Sequence, residues 1–213
     1  MTTERIAGIE IPHTSLVREA TELIRDTTNE LIYHHSRRVF LFGSLQAAAY
    51  GIHPDPELLY VAALFHDTGL VEPYRTQAQR FEIDGADEAR DFLTRHGVAE
   101  DAAQTVWTAI ALHTTPEVPY RMNAVIAATT AGVETDVLGL HRENIQQAAT
   151  DEVVAAHPRP DFKNRILAAF TDGFAHRPDS TFGTVNADVL SHFDPAFQRT
   201  DFVEVITTSS WPE

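Results

Sequence analysis

Apolar positions recur at helical spacing along most of the chain. Leu16, Leu23, Ile24, Thr27 and Leu31 fall on one side of a helix over 16–31 that Thr14 or Ser15 can cap. His35, Val39, Phe42 and Gln46 follow one another at steps of four, three and four, so a second helix over 33–50 carries His35 on its apolar face. Gly51 suits its end. Asp55-Pro56-Glu57 supplies an N-cap, a first-turn proline and a carboxylate at the positive end of a third helix running to about Asp67. Leu59, Ala62, Ala63 and His66 share its inner face, which puts His66 in the last turn and toward the core. Residues 68–80 are irregular and polar, suited to a lid or a site wall.

Further helices are predicted from Asp84 or Gly85 to His96, over 99–113 with Val106, Trp107, Ile110 and His113 aligned, and over 122–140 with Asp136 the odd charge near its end. Two more follow at 143–156 and 162–174, bracketed by Pro158, Pro160 and Pro178. Residues 1–13 read as a loose arm, and the tail after His192 has β character at 201–208 yet reads as a wrap rather than a sheet. The expected architecture is an all-α helical bundle, a single domain over 14–190 between an arm at 1–13 and a tail at 191–213, with no internal repeat.

Composition narrows the function classes. A length of 213 residues with 43% hydrophobic content suits one well-buried domain. The 31 acidic residues against 16 basic ones, with Lys163 the only lysine, give a formal charge of −15. That balance leaves no basic stripe for nucleic acid and opposes binding to an anionic membrane. The first residues contain no apolar segment and no run of 18 apolar residues occurs, so a soluble, cytoplasmic protein with a small-molecule substrate is expected; a homo-oligomer is compatible with the sequence. Without cysteine, disulfides, thiolate zinc sites and cysteine nucleophiles are excluded, and the 11 histidines and the carboxylates remain as metal ligands.

The doublet His66-Asp67 ends an apolar run, where adjacent polar groups are costly unless a charge sits between them. His35, His66, Asp67 and Asp136 can converge if the second, third and sixth helices pack together, and two imidazoles with two carboxylates suit a divalent ion. Each also has a plainer explanation: a hydrogen-bonded core histidine, a capping aspartate, a solvated helix end. Arg37 and Arg38 could hold an anion, but pairing with acidic residues is the simpler expectation in so acidic a chain.

The pattern His35-Ser36-Arg37-Arg38-Val39-Phe40, then Leu64-Phe65-His66-Asp67-Thr68-Gly69, then Asp136 resembles the HD-domain superfamily of metal-dependent hydrolases. Phe81-Glu82-Ile83-Asp84-Gly85-Ala86, Asp136-Val137-Leu138-Gly139 and Ala156-His157-Pro158-Arg159 with Phe162-Lys163 resemble segments of its cyanamide hydratase-like branch, with His157 where an aromatic is expected. The resemblance implies His35, His66, Asp67 and Asp136 as metal ligands. It implies a single divalent ion, zinc first and iron, manganese or cobalt as alternatives, because Phe81 stands where dinuclear members carry another histidine. His113 then faces substrate or the bound water, and Asp67 and His113 are the expected catalytic groups. Phe81 and Glu82 are expected at the substrate, although a solvated surface carboxylate is the plainer description of Glu82 and of Glu72. His34, His53, His96, His141, His157, His176 and His192 are taken as surface or structural residues. The implied reaction is addition of water to a small nitrile such as cyanamide, giving urea. A phosphohydrolase acting on a nucleotide monophosphate or small phosphoester, and a non-catalytic binding domain of the same fold, are the competing expectations.

Overall fold

The computed structural model describes residues 4–211, so residues 1–3 of the expected arm and 212–213 of the expected tail lie outside the described part. The first segment is not loose. Strands β1 (Arg5–Ile6) and β2 (Ile9–Glu10) form an antiparallel hairpin pairing Ile6 with Ile9. Ile6 and Ile11 are buried, and the Ala7 N–H donates to Glu152 at 2.7 Å. An apolar pattern this short has no detectable period, which is why it reads as an arm.

Helix α1 (Ser15–Thr27) is capped by Thr14 and stops before the expected Leu31, because Asn29 caps the next helix by accepting from the Ile32 N–H at 3.1 Å. Helix α2 (Glu30–Tyr50) ends at Gly51 in the left-handed region, and α3 (Pro56–Phe65) begins at the expected Asp55 cap. Leu59 to Phe65 are all buried, which makes α3 a central helix. A 3₁₀ turn at Thr68–Leu70 follows, and residues 76–79 are mostly exposed.

Helix α4 (Phe81–Arg95) starts three residues before the expected Asp84. The Phe81 ring has an apolar site to enter, and Glu82 and Asp84 both stabilise the positive end of the first turn. Helices α5 (Glu100–Leu112), α6 (Ala124–Leu138), α7 (Gln147–Ala156) and α8 (Phe162–Phe174) match the expected elements within a few residues. Helix α9 (Asn186–Phe193) was not expected. The β-like tail is a short helix, α10 (Phe202–Thr207), because Asp201 caps it through the Val203 and Glu204 N–H groups. The fold is all-α apart from the hairpin.

One close crossing positions the chemistry. Helices α2 and α6 run antiparallel in contact through Gly43 and Gly132. A Cβ on Gly43 would lie 2.5 Å from the Ala128 carbonyl oxygen, and one on Gly132 would overlap the Val39 carbonyl oxygen. One turn farther along, this approach sets Asp136 opposite His35. The main apolar cluster joins α1 to α6. A second, smaller one joins Leu31 and Ile32 to Leu70, Phe81, Phe162, Ile166, Phe174 and Leu190.

Candidate metal centre

His35 sits in the second turn of α2, His66 at the C-terminal end of α3 and Asp67 directly after it, all at most 1% exposed. The His35 Nδ1–H donates to Asp136 Oδ2 at 2.7 Å, and the His66 Nδ1–H donates to the Ala63 carbonyl at 2.8 Å. Both rings are thus held by the outer nitrogen, and both Nε2 atoms point inward, 3.1 Å apart. Two lone pairs facing each other at this distance require a proton or a cation between them.

Asp67 lies across this gap. Its Oδ2 is 3.3 Å from His66 Nε2 and 3.5 Å from His35 Nε2, and its Oδ1 is 3.6 Å from His113 Nε2. None of these contacts makes a proper hydrogen bond, and both carboxylate oxygens are buried without a donor. A buried carboxylate left this way is strongly unfavourable. A divalent ion among the two Nε2 atoms and Asp67 would satisfy all three groups at once, and these three side chains form a cluster that could hold one. Two imidazoles and a carboxylate, with further positions left for water or substrate, make a donor set for a catalytic first-row divalent ion.

Asp136, expected as a fourth ligand, lies outside this cluster of three. Its carboxylate does not join the cluster but stands behind His35, accepting from Nδ1 of that ring. Arg38 donates to it from Nε at 2.8 Å and Nη2 at 2.9 Å, and Arg159 from Nε at 3.0 Å. The two guanidiniums saturate the carboxylate and turn it toward the ring, where it fixes the tautomer that leaves Nε2 free. Burial alone would raise the Asp136 carboxyl, but His35 and Arg38 hold it far below its ordinary range.

The ion-free electrostatics agree with the geometry. Burial would lower the His66 imidazole, yet Asp67 and the Ala63 carbonyl hold it above its ordinary value. Burial dominates at His35 and lowers it, against the pull of Asp136. Burial would likewise raise Asp67, but His66, His113 and His35 together hold it well below the usual carboxylate range. The carboxylate therefore stays ionised, as a ligand must.

His113 closes α5 and is buried beside the cluster, with its Nδ1–H on the Ile110 carbonyl at 2.7 Å and Nε2 directed at Asp67. The edge of the Phe81 ring packs against it, with centroids 5.5 Å apart, and Phe162 packs on His35 at 5.2 Å. Phe81 is thus a wall of the centre. Glu82 is not a solvated surface group: it is fully buried and accepts from Thr114 at 2.6 Å, Arg80 at 3.0 Å and Asn186 at 3.1 Å. Burial would raise its carboxyl; Arg80, His113 and Thr114 lower it. Glu72 is exposed and paired with Arg75.

Arg38 pairs with an acidic residue as expected, although its partner Asp136 was not foreseen. Sequence reasoning missed Arg159 beside it, and Arg177 with Asp84, a buried ion pair that also ties the Gly69 carbonyl just after the doublet. It missed Asn186 as well, on the unexpected α9. Of these only Arg159 left a signal, as an arginine inside a motif segment. His157, taken as surface or structural, is buried against His34, with Nδ1 atoms 3.1 Å apart and its Nε2 unpartnered.

The model of the HD domain matches residues 32–155, a span that carries His35, the His66-Asp67 doublet, His113 and Asp136. The chain belongs to the HD-domain family. Among curated proteins none matches the chain. HD domains are generally metal-dependent hydrolases, and the His35–His66–Asp67 cluster could hold the divalent ion that membership implies.

Proposed function

We propose that this HD protein adds water to a small, uncharged, electrophilic substrate of the nitrile type, with cyanamide giving urea as the first candidate. One observation carries the choice of substrate class: the centre is enclosed and aromatic-walled, and the arginines around it are already committed. Arg38 and Arg159 hold Asp136, Arg80 holds Glu82, and Arg177 holds Asp84. A phosphate dianion would need convergent free cations there, whereas a small neutral molecule would not.

His35, His66 and Asp67 would hold the divalent ion, which when bound acidifies a water toward neutral pH and so supplies the nucleophile. Asp136 and the Ala63 carbonyl keep the Nδ1 protons of His35 and His66 in place, so that both Nε2 lone pairs face inward. Asp67 orients the attacking water through the oxygen nearer His113. His113, whose Nδ1–H is held on the Ile110 carbonyl, turns a bare Nε2 to the site, where it would take the proton that the attacking water loses and hand it to the substrate nitrogen as the C–O bond forms. Phe81 and Phe162 exclude bulk water and limit substrate size. Glu82 holds Thr114, next to His113, and Asn186 rather than touching substrate.

The test is turnover of metal-loaded protein on cyanamide and small nitriles, read as urea or amide, beside AMP and p-nitrophenyl phosphate, read as phosphate. Urea or amide release supports the proposal. Release of phosphate alone replaces it with a phosphohydrolase, and inertness toward all of them with substoichiometric metal leaves a binding domain. His66→Ala and Asp67→Ala are expected to abolish both metal retention and turnover, while His96→Ala, whose ring bonds Glu19 and the Phe92 carbonyl far from the cluster, leaves both near wild type.

A further inference from the structure

A cleft of about 490 Å³ opens between the N-terminal hairpin, α1 and the faces of α2 and α3 that point away from the metal centre. Arg37 forms its inner wall. It lies two positions after His35, about 200° round the helix, so its side chain leaves α2 on the opposite side from the cluster. The guanidinium is almost wholly buried, which makes its partners countable. Nη1 donates to the Tyr60 hydroxyl at 3.0 Å and, at 3.5 Å, to the Tyr33 hydroxyl, and Nη2 to Glu4 Oε1 at 3.3 Å, while Nε is buried with no acceptor. Glu4, its one carboxylate partner among the described residues, has a side chain 58% exposed.

Two more arginines line the same cleft. Arg18 donates to the His13 carbonyl at 2.9 Å, and Arg25 to the Tyr33 hydroxyl at 3.1 Å. Among the described residues neither has a carboxylate oxygen within 4.0 Å, although Glu22 also borders the cleft. In a chain with 31 acidic residues to 16 basic, three arginines facing two exposed carboxylates, Glu4 and Glu22, of which only Glu4 pairs with any of them, leave the cleft with an excess of positive charge. Ile11, Pro12 and Val17 give the cleft an apolar side, and its volume falls in the range of small-molecule sites.

We propose that this cleft is a second ligand site, separate from the metal centre, for a small molecule bearing a carboxylate or phosphate group. The anion displaces Glu4 from the Arg37 guanidinium, which opens the way to the unpartnered Nε–H, and is flanked by Arg18 and Arg25; the rest of the ligand lies on Ile11, Pro12 and Val17. Guanidinium forks suit either oxyanion. The site stands independently of the reaction proposed above.

Calorimetric titration of the metal-loaded full chain with inorganic phosphate and, separately, succinate tests this, with sodium chloride at matched ionic strength as control. Saturable binding of at least one probe at millimolar concentration is expected, and which one binds identifies the oxyanion. The double variant Arg18→Gln/Arg25→Gln, altered only at exposed side chains, should weaken binding by about tenfold or more. Glu4→Gln should tighten it by removing the resident competitor, a gain that a merely structural Glu4 would not give. Asp67→Asn should leave it unchanged, which separates this cleft from anion binding at the metal centre. No saturable binding of either probe, an equal response to chloride, or binding insensitive to the double variant and to Glu4→Gln overturns the proposal.

Discussion

Asp67 and Asp136 are both buried aspartates in contact with His35, and their partners give them different work. Asp67 has no donor, so it needs a cation; Asp136 accepts from four N–H groups on three residues, so it orients a ring. Asp136→Asn should therefore weaken metal affinity by roughly 10–100-fold while still allowing full loading at excess metal, whereas Asp67→Asn should prevent loading. Metal titration of both variants checks this, and equal losses would contradict the division. His157 supplies a second prediction. Burial, Arg37, His34 and Arg38 push its imidazole down to about 3, against an ordinary value of about 6.5. Between those values the unfolded chain binds a proton that the folded one refuses, so stability rises with pH and is lost as pH falls below about 6.5. His157→Phe, which restores the aromatic expected there, should flatten that slope in acid unfolding curves between about pH 6.5 and 3. An unchanged slope would show that other groups set it. At this scale the sequence disclosed His35, His66 and Asp67, because polar groups on apolar helical faces stand out. It did not disclose the role of Asp136, which depends on Arg159 from a different segment, beyond the reach of any local period.

Among the elements, the α2–α6 crossing carries the largest consequence, since it sets the distance between His35 and Asp136. Gly132→Ala would drive a methyl group onto the Val39 carbonyl oxygen and push the helices apart. The expected cost is about 1–3 kcal/mol, read as a melting temperature lower by roughly 2–4 °C per kcal/mol, together with weaker metal binding. Gly97→Ala, at a helix end with open space around it but a φ of 71°, should destabilise through backbone strain without touching metal affinity. Loss of metal affinity in both, or in neither, would contradict the positional account. Helices bounded by clear signals were legible: Asp55-Pro56 caps and starts α3, and Phe162–Phe174 falls between the prolines where the pattern puts it. The failures share a cause. At α4 the apolar demand of Phe81 moved the start, at α10 the Asp201 cap outweighed four β-branched residues, and the hairpin was too short for any period.

Over the whole molecule, the all-α fold followed from periodicity alone, but the enclosure of the centre did not. That depends on the second apolar cluster, which draws Phe162, Ile166, Phe174 and Leu190 from the C-terminal third across the ends of α2 and α4. Among the described residues no helix is long and apolar enough to cross a membrane. Because the candidate ligands come from α2 and from the end of α3, and Asp136 braces His35 from α6, metal binding should be linked to global stability. Saturation at about 1,000 times the Kd corresponds to roughly 4 kcal/mol, so stripping the ion with a chelator should lower the melting temperature, and readdition should restore it. The central claim is that one divalent ion completes a buried carboxylate and two inward-facing imidazoles. Calorimetric titration of chelator-stripped protein with zinc tests it most directly. The account predicts saturation at one ion per chain, with proton release and no binding in Asp67→Asn; no binding by the wild-type chain, or undiminished binding by Asp67→Asn, would contradict it.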